Sequence, residues 1–113
     1  MSMYQPPHPR CPICTSKRCR ASWLYVAFDR ANGLVKIGKS VTVSARFIGY
    51  RKTIYRDIFP VMKWQASCDF LIHGFENAAL SLLPESRRVR GDWYRIEPET
   101  AIRALLWVKG GLS

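Results

Sequence analysis

Two short apolar runs flank Asn32-Gly33, and this arrangement constrains the fold more than any other feature of the chain. Trp23-Leu-Tyr-Val-Ala-Phe-Asp29 precedes the pair and Leu34-Val-Lys-Ile-Gly38 follows it. Both runs are rich in aromatic and β-branched residues, which suit a pleated, half-buried surface. Asn-Gly accepts positive φ at both central positions, as a tight hairpin requires. Alternation then predicts Leu24, Val26, Phe28, Val35 and Ile37 on one core face, with Tyr25, Asp29 and Lys36 sharing the other. A two-residue turn also sets Lys36 opposite Asp29 as a cross-strand ion pair.

A helix is expected next, with Ser40 or Thr42 as N-cap, ending near Lys52; Arg46 and Tyr50 neighbour each other on it. A third strand around residues 61–67 follows. Asp69 is expected to cap a second helix that Pro84 stops, with Ile72, Phe75, Ala79 and Leu82 as its apolar stripe and Glu76 beside it. Trp93–Ile96 reads as a short strand or extended segment. Pro98 opens a last helix that Gly110-Gly111 closes. The predicted fold is α+β: a three-stranded antiparallel sheet in ββαβαα order, flanked by helices, over residues 22–113. Trp64, Trp93 and Trp107 are expected in the core or as a hydrophobic lid rather than as base-stacking platforms.

Residues 1–21 differ in kind. Pro6, Pro7, Pro9 and Pro12 accompany three cysteines, and apolar periodicity is absent. Cys11, Cys14 and Cys19 suit a structural zinc site that orders a segment with no core of its own. The fourth ligand is either Cys68, carried to Cys19 if the third strand runs antiparallel to the first, or the local His8. Disulfides are disfavoured for a chain without a secretory signal, and no apolar run approaches the roughly 20 residues of a membrane span. A cytoplasmic protein is the expectation.

At 113 residues the chain suits one domain and excludes a two-domain cofactor enzyme. Eighteen basic residues against eight acidic ones give a formal charge of +10, which points to a polyanionic partner, most simply nucleic acid. The charge gathers near the amino terminus, around Arg46, Arg51, Lys52 and Arg56, and at Arg87, Arg88, Arg90 and Arg95. Of these, Arg51, Lys52, Arg87, Arg88 and Arg90, together with Lys39, are the candidate nucleic-acid contacts.

The order Leu24-Tyr25-Val26, then Lys36-Ile37-Gly38-Lys39, a helix with Arg46, a helix with Glu76 and a Gly91-Asp92-Trp93-Tyr94 tail resembles the GIY-YIG nuclease superfamily. It is most similar to the small phage and bacterial branch whose second motif reads Lys-Ile-Gly. The resemblance covers roughly residues 22–106. It implies metal-dependent phosphodiester hydrolysis, with Tyr25 helping to activate water, Arg46 on the scissile phosphate, Tyr50 as a second functional tyrosine and Glu76 binding Mg²⁺ or Mn²⁺. Lys36 replaces the second-motif tyrosine, and Leu80 stands where many members have a histidine, a role His73 partly takes over.

Phosphoryl chemistry needs a cation on the non-bridging oxygens, a fixed positive fork and a base near the water. The clustered acids of a two-metal nuclease are missing from the sequence, and neither histidine suits a Ser-His-Asp arrangement. The expected activity is DNA cleavage of low intrinsic specificity, with selection supplied by a protein partner, a dimer or a DNA structure. The alternative is a degenerate module of the same type that binds DNA, or inhibits another protein, without cutting.

Overall fold

The computed structural model describes residues 21–52, 57–66 and 68–111. β1 (Ser22–Asp29) and β2 (Leu34–Ser40) form the expected hairpin. Their register pairs Asp29 with Leu34 and Ala27 with Lys36, so Arg30–Gly33 make a four-residue loop. Gly33 supplies its left-handed turn at φ 65°, and Asn32 donates its side-chain amide back to Asp29 Oδ2 at 2.7 Å. The expected Lys36–Asp29 pair is thereby corrected: the longer loop moves Lys36 two positions along β1. A shift of two keeps every side chain on its predicted face.

α1 (Val43–Arg51) starts after an extended Thr42 and ends at Lys52. β3 (Ile58–Ala66) returns antiparallel along the other side of β1, with Ser22 opposite Ala66. α2 (Asp69–Ser81) has Cys68, not Asp69, at the N-cap position, and Asp69 is its first residue. A 3₁₀ turn at Glu85–Arg87 leads into β4 (Arg88–Arg90) and β5 (Trp93–Tyr94), and α3 (Pro98–Gly111) begins at Pro98 as expected.

Among the described residues the sheet has five strands in the order β3-β1-β2-β5-β4, all antiparallel, and this corrects the expected three. The additional strands are the small β4–β5 hairpin, which turns at Gly91 with φ 51° and adds to β2 through Val35–Tyr94 and Lys36–Trp93. β5 falls within the Trp93–Ile96 segment read as a short strand, but strands of three and two residues are too short for alternation to show how they pair. β4 is also exposed throughout and arginine-rich, so it reads as a solvated basic run. The α+β class stands, with the order ββαβαββα.

Each face of the sheet has its own core. On one side α2 and α3 cover Leu24, Val26, Val35 and Ile37 with Ile72, Phe75, Ala79, Leu83, Ala101 and Leu105. Leu82 was expected on that stripe, but the helix stops at Ser81 and Leu83 takes the buried place. Full burial of such side chains contributes about 1.5–3 kcal/mol each. On the other side α1 sets Val43 and Phe47 against Tyr25, Ala27, Leu34, Ile58 and Trp93. Trp93 is thus in a core as expected, and Trp64 is partly buried and stacks on Phe75 at 5.0 Å. Trp107 is not: it is 74% exposed on α3, outside the stripe that α3 buries.

β3 is one border of the sheet. It carries Pro60, which has no N–H to offer, an irregularity opposite Val26/Ala27 and an exposed Lys63.

Candidate functional site

The site forms where β2 runs past the end of its neighbour. β5 pairs with Val35 and Lys36 and goes no further, while β2 continues to Ser40. Gly38 lies in that stretch, directly opposite Tyr25 on β1. A Cβ on Gly38 would stand 2.5 Å from both Cζ and the hydroxyl of Tyr25, so the ring lies across the bare backbone of the glycine. The hydroxyl then meets that of Tyr50, on the last turn of α1, at 2.7 Å. Phe47 holds both rings edge-on, at 5.3 Å from Tyr25 and 5.5 Å from Tyr50. Helical spacing explains the arrangement, since Arg46 and Tyr50 are one turn apart and Phe47 faces the sheet between them.

Lys36 reaches the same place from β2. Its Nζ lies 5.6 Å from the Tyr50 ring centre and 5.7 Å from that of Trp93, and those two rings meet at 5.9 Å and 73°. Ser40, Thr42, Ala45, Arg46, Gly49 and Tyr50 line a shallow groove of about 440 Å³ along α1.

Glu76 approaches from α2, on the other side of the sheet. Lys39 shares that side, because alternation along β2 turns Ile37 and Lys39 away from Lys36 and Gly38. Burial pushes the Glu76 carboxyl above its ordinary value; Lys39 opposes that shift most strongly, with smaller opposition from His73 and Lys36, and Asp92 adds to it. His73 Nδ1 is 3.9 Å from Glu76 Oε1, and His73 Nε2 faces Asn77 at 3.3 Å. Tyr25 feels both sides. Burial, then the hydrogen bond and charge of Tyr50, push its phenol well above the ordinary range, Glu76 adds to this, and Arg46 pulls it down. Tyr25 is therefore a neutral phenol at physiological pH.

Tyr25, Lys36, Lys39, Arg46, Tyr50 and Glu76 thus share one electrostatic neighbourhood. The other basic candidates lie at the end of α1, on the 3₁₀ turn and on β4. Arg51 turns toward β3, where its Nε donates to the Ile58 carbonyl at 3.3 Å, and Lys52 is the exposed C-cap of α1. Arg87, Arg88 and Arg90 belong to the opposite border of the sheet. There the Arg88 guanidinium is held by Glu85 at 3.2 Å and the Gly91 carbonyl, with Asp92 at 4.0 Å. Arg56 lies outside the described residues.

Two contributors escaped the sequence reading. Gly38 had a legible signal, since glycine inside a strand marks close approach. The Trp93 ring beside Lys36 had none, because the β2–β5 pairing was not foreseen.

Glu76 suits a hard divalent cation: it offers an oxygen donor in poorly solvated surroundings, where its charge gains from a counter-ion. Among the described residues no three His, Cys, Asp or Glu side chains gather, so such an ion would complete its shell with water and phosphate oxygens. Cys11, Cys14, Cys19 and His8 lie outside the described residues. Cys68 is fully buried, two positions beyond the Ser22–Ala66 pair, at the end of the sheet where β1 begins. Among the described residues no helix is long and apolar enough to cross a membrane. Comparison with models of known families, with curated proteins and with solved structures gives no match to this chain.

Proposed function

We propose that the chain is a metal-dependent DNA endonuclease of the GIY-YIG type, hydrolysing phosphodiester bonds with low intrinsic sequence specificity. The observation that carries this reading is the 2.7 Å contact between the Tyr25 and Tyr50 hydroxyls over Gly38, in the field of Arg46 and Glu76. Two phenols at a strand edge, ringed by lysine, arginine and one carboxylate, suit a phosphate oxygen and an attacking water. Neutral Tyr25 acts by orienting Tyr50 and the water through hydrogen bonds. Arg46, exposed on α1, offers its fork to the non-bridging oxygens, and Lys36 and Lys39 add positive charge on either side of β2. Bound Mg²⁺ or Mn²⁺ would supply Lewis-acid polarisation of the phosphate, and Glu76 would hold it.

Zinc on Cys11, Cys14 and Cys19 would order the amino-terminal segment in a reducing cytoplasm, and would tie it to the sheet if Cys68 rather than His8 is the fourth ligand. Target choice would come from a protein partner, a dimer or a DNA structure. The test is nicking of supercoiled plasmid with Mg²⁺ or Mn²⁺, against EDTA and the Glu76→Ala variant. Cutting is expected to fall about 100-fold or more in the variant while DNA binding persists. A folded protein that leaves plasmid, single-stranded and branched DNA intact sinks the reading.

The second reading is a degenerate module that binds DNA or inhibits another protein. It is favoured by Lys36 in the place of a tyrosine and by burial that keeps Tyr25 from ionising. Affinity for DNA that falls steeply with salt marks a phosphate-contacting surface, whereas a protein-inhibitor interface with an apolar centre holds its protein partner with little salt dependence.

A further inference from the structure

Lys36 and Trp93 are direct cross-strand partners, and the Lys36 ammonium sits in the angle between the Trp93 and Tyr50 rings. We infer that Trp93 is a positioning residue: with Tyr50 it forms an aromatic corner that holds the Lys36 ammonium toward a phosphodiester at the Tyr25–Tyr50 edge. The phosphodiester rests on the reading proposed above; the corner does not.

Both walls are fixed. Trp93 is only 5% exposed, and Tyr50 is held through its hydroxyl by Tyr25 and edge-on by Phe47. The ring faces carry negative charge density, and both centres lie within the roughly 6 Å over which an ammonium is attracted to them. A lysine otherwise has a long, freely rotating stem, and its charge wanders. Here the corner removes that freedom before a ligand arrives. A leucine at position 93 keeps apolar surface in the core but is smaller and has no ring face, whereas phenylalanine is also smaller and keeps one, so comparing the two separates packing from positioning.

The experiment compares the parent with Trp93→Phe, Trp93→Leu, Lys36→Ala and the double variant Trp93→Leu/Lys36→Ala, each checked for a cooperative melt. By NMR, the Lys36 ε-methylene protons should lie upfield in the parent through ring currents, stay there in Trp93→Phe and move toward ordinary lysine positions in Trp93→Leu. Plasmid nicking should fall about tenfold in Trp93→Leu, recover in Trp93→Phe, and fall no further when Trp93→Leu is added to Lys36→Ala. If the parent does not nick DNA, the nuclease reading fails, and the same comparison is made on affinity for a short DNA duplex.

Unshifted Lys36 protons in the parent would overturn the inference. So would a folded Trp93→Leu variant with parental nicking and affinity, or losses that simply add in the double variant. If Trp93→Leu does not fold, Trp93→Met replaces it under the same criteria.

Discussion

The two faces of the sheet are built from different side chains. Beneath α2 and α3 the contacts are mostly aliphatic: Leu24, Val26, Val35 and Ile37 against Ile72, Ala79, Ala104 and Leu105. Beneath α1 they are aromatic and hydroxyl-bearing, with Tyr25, Phe47, Tyr50 and Trp93 joined edge to face. Aliphatic packing is directionless, and its contribution scales with area removed from water. Aromatic packing fixes ring planes and leaves polar tips at defined points. The first face holds the fold together, and the second sets where its hydroxyls and charges stand. Glu76 spans the division, because its helix belongs to the aliphatic side while its charge reaches Tyr25 on the other.

The division is tested most forcefully by Ile72→Ala. Ile72 is fully buried, and its truncation should cost about 2–5 kcal/mol in chemical denaturation. Folded molecules of this variant should keep the parental tyrosine environment in near-ultraviolet circular dichroism. Gly38→Ala should invert the pattern. Its methyl group meets the Tyr25 ring at 2.5 Å, so the ring must swing out, at a cost of about 1–3 kcal/mol, and the tyrosine signal should change in a protein that still folds. If Gly38→Ala leaves that signal unchanged, the two faces are less separable than the packing implies.

Glu76→Gln should have the smallest effect on stability, and it shows in pH dependence. Burial raises the folded-state pKa of Glu76, so ionisation is disfavoured in the folded protein. The cost is absent below the ordinary carboxylate range, grows as pH rises toward the raised value and stays constant above it. Thermal unfolding followed across that window should therefore fall less with rising pH in the variant than in the parent. Mg²⁺ or Mn²⁺ should raise the melting temperature of the parent at neutral pH and leave that of Glu76→Gln unmoved.

What the sequence made legible follows from length and period. β1 and β2 are long enough for alternation to place Tyr25 and Lys36 on one face, and that placement survived even though the loop between them was four residues rather than two. Pro98 marked the start of α3 because its fixed φ suits a first helical turn, and Thr42 stands at the start of α1 through its extended backbone, without a side-chain capping bond. The β4–β5 hairpin was legible only in part: Trp93–Tyr94 fell in a segment read as a short strand, while the exposed, arginine-rich Arg88–Arg90 did not register, and strands this short carry no period. The meeting of Glu76 with residues of the opposite face was implied only by the resemblance, because no local pattern in the sequence shows it. It depends on where β5 stops, a property of strand pairing that no single segment encodes.

At the β3 border, an incoming strand would meet a missing donor at Pro60, a break in the repeat and the charge of Lys63. Any polyanion that attracts a chain of charge +10 will also crowd its copies together. Crowding of that kind is what seeds cross-β growth in proteins with long, regular edges. This border gives such growth no template, so copies crowded against it by charge do not extend the sheet there.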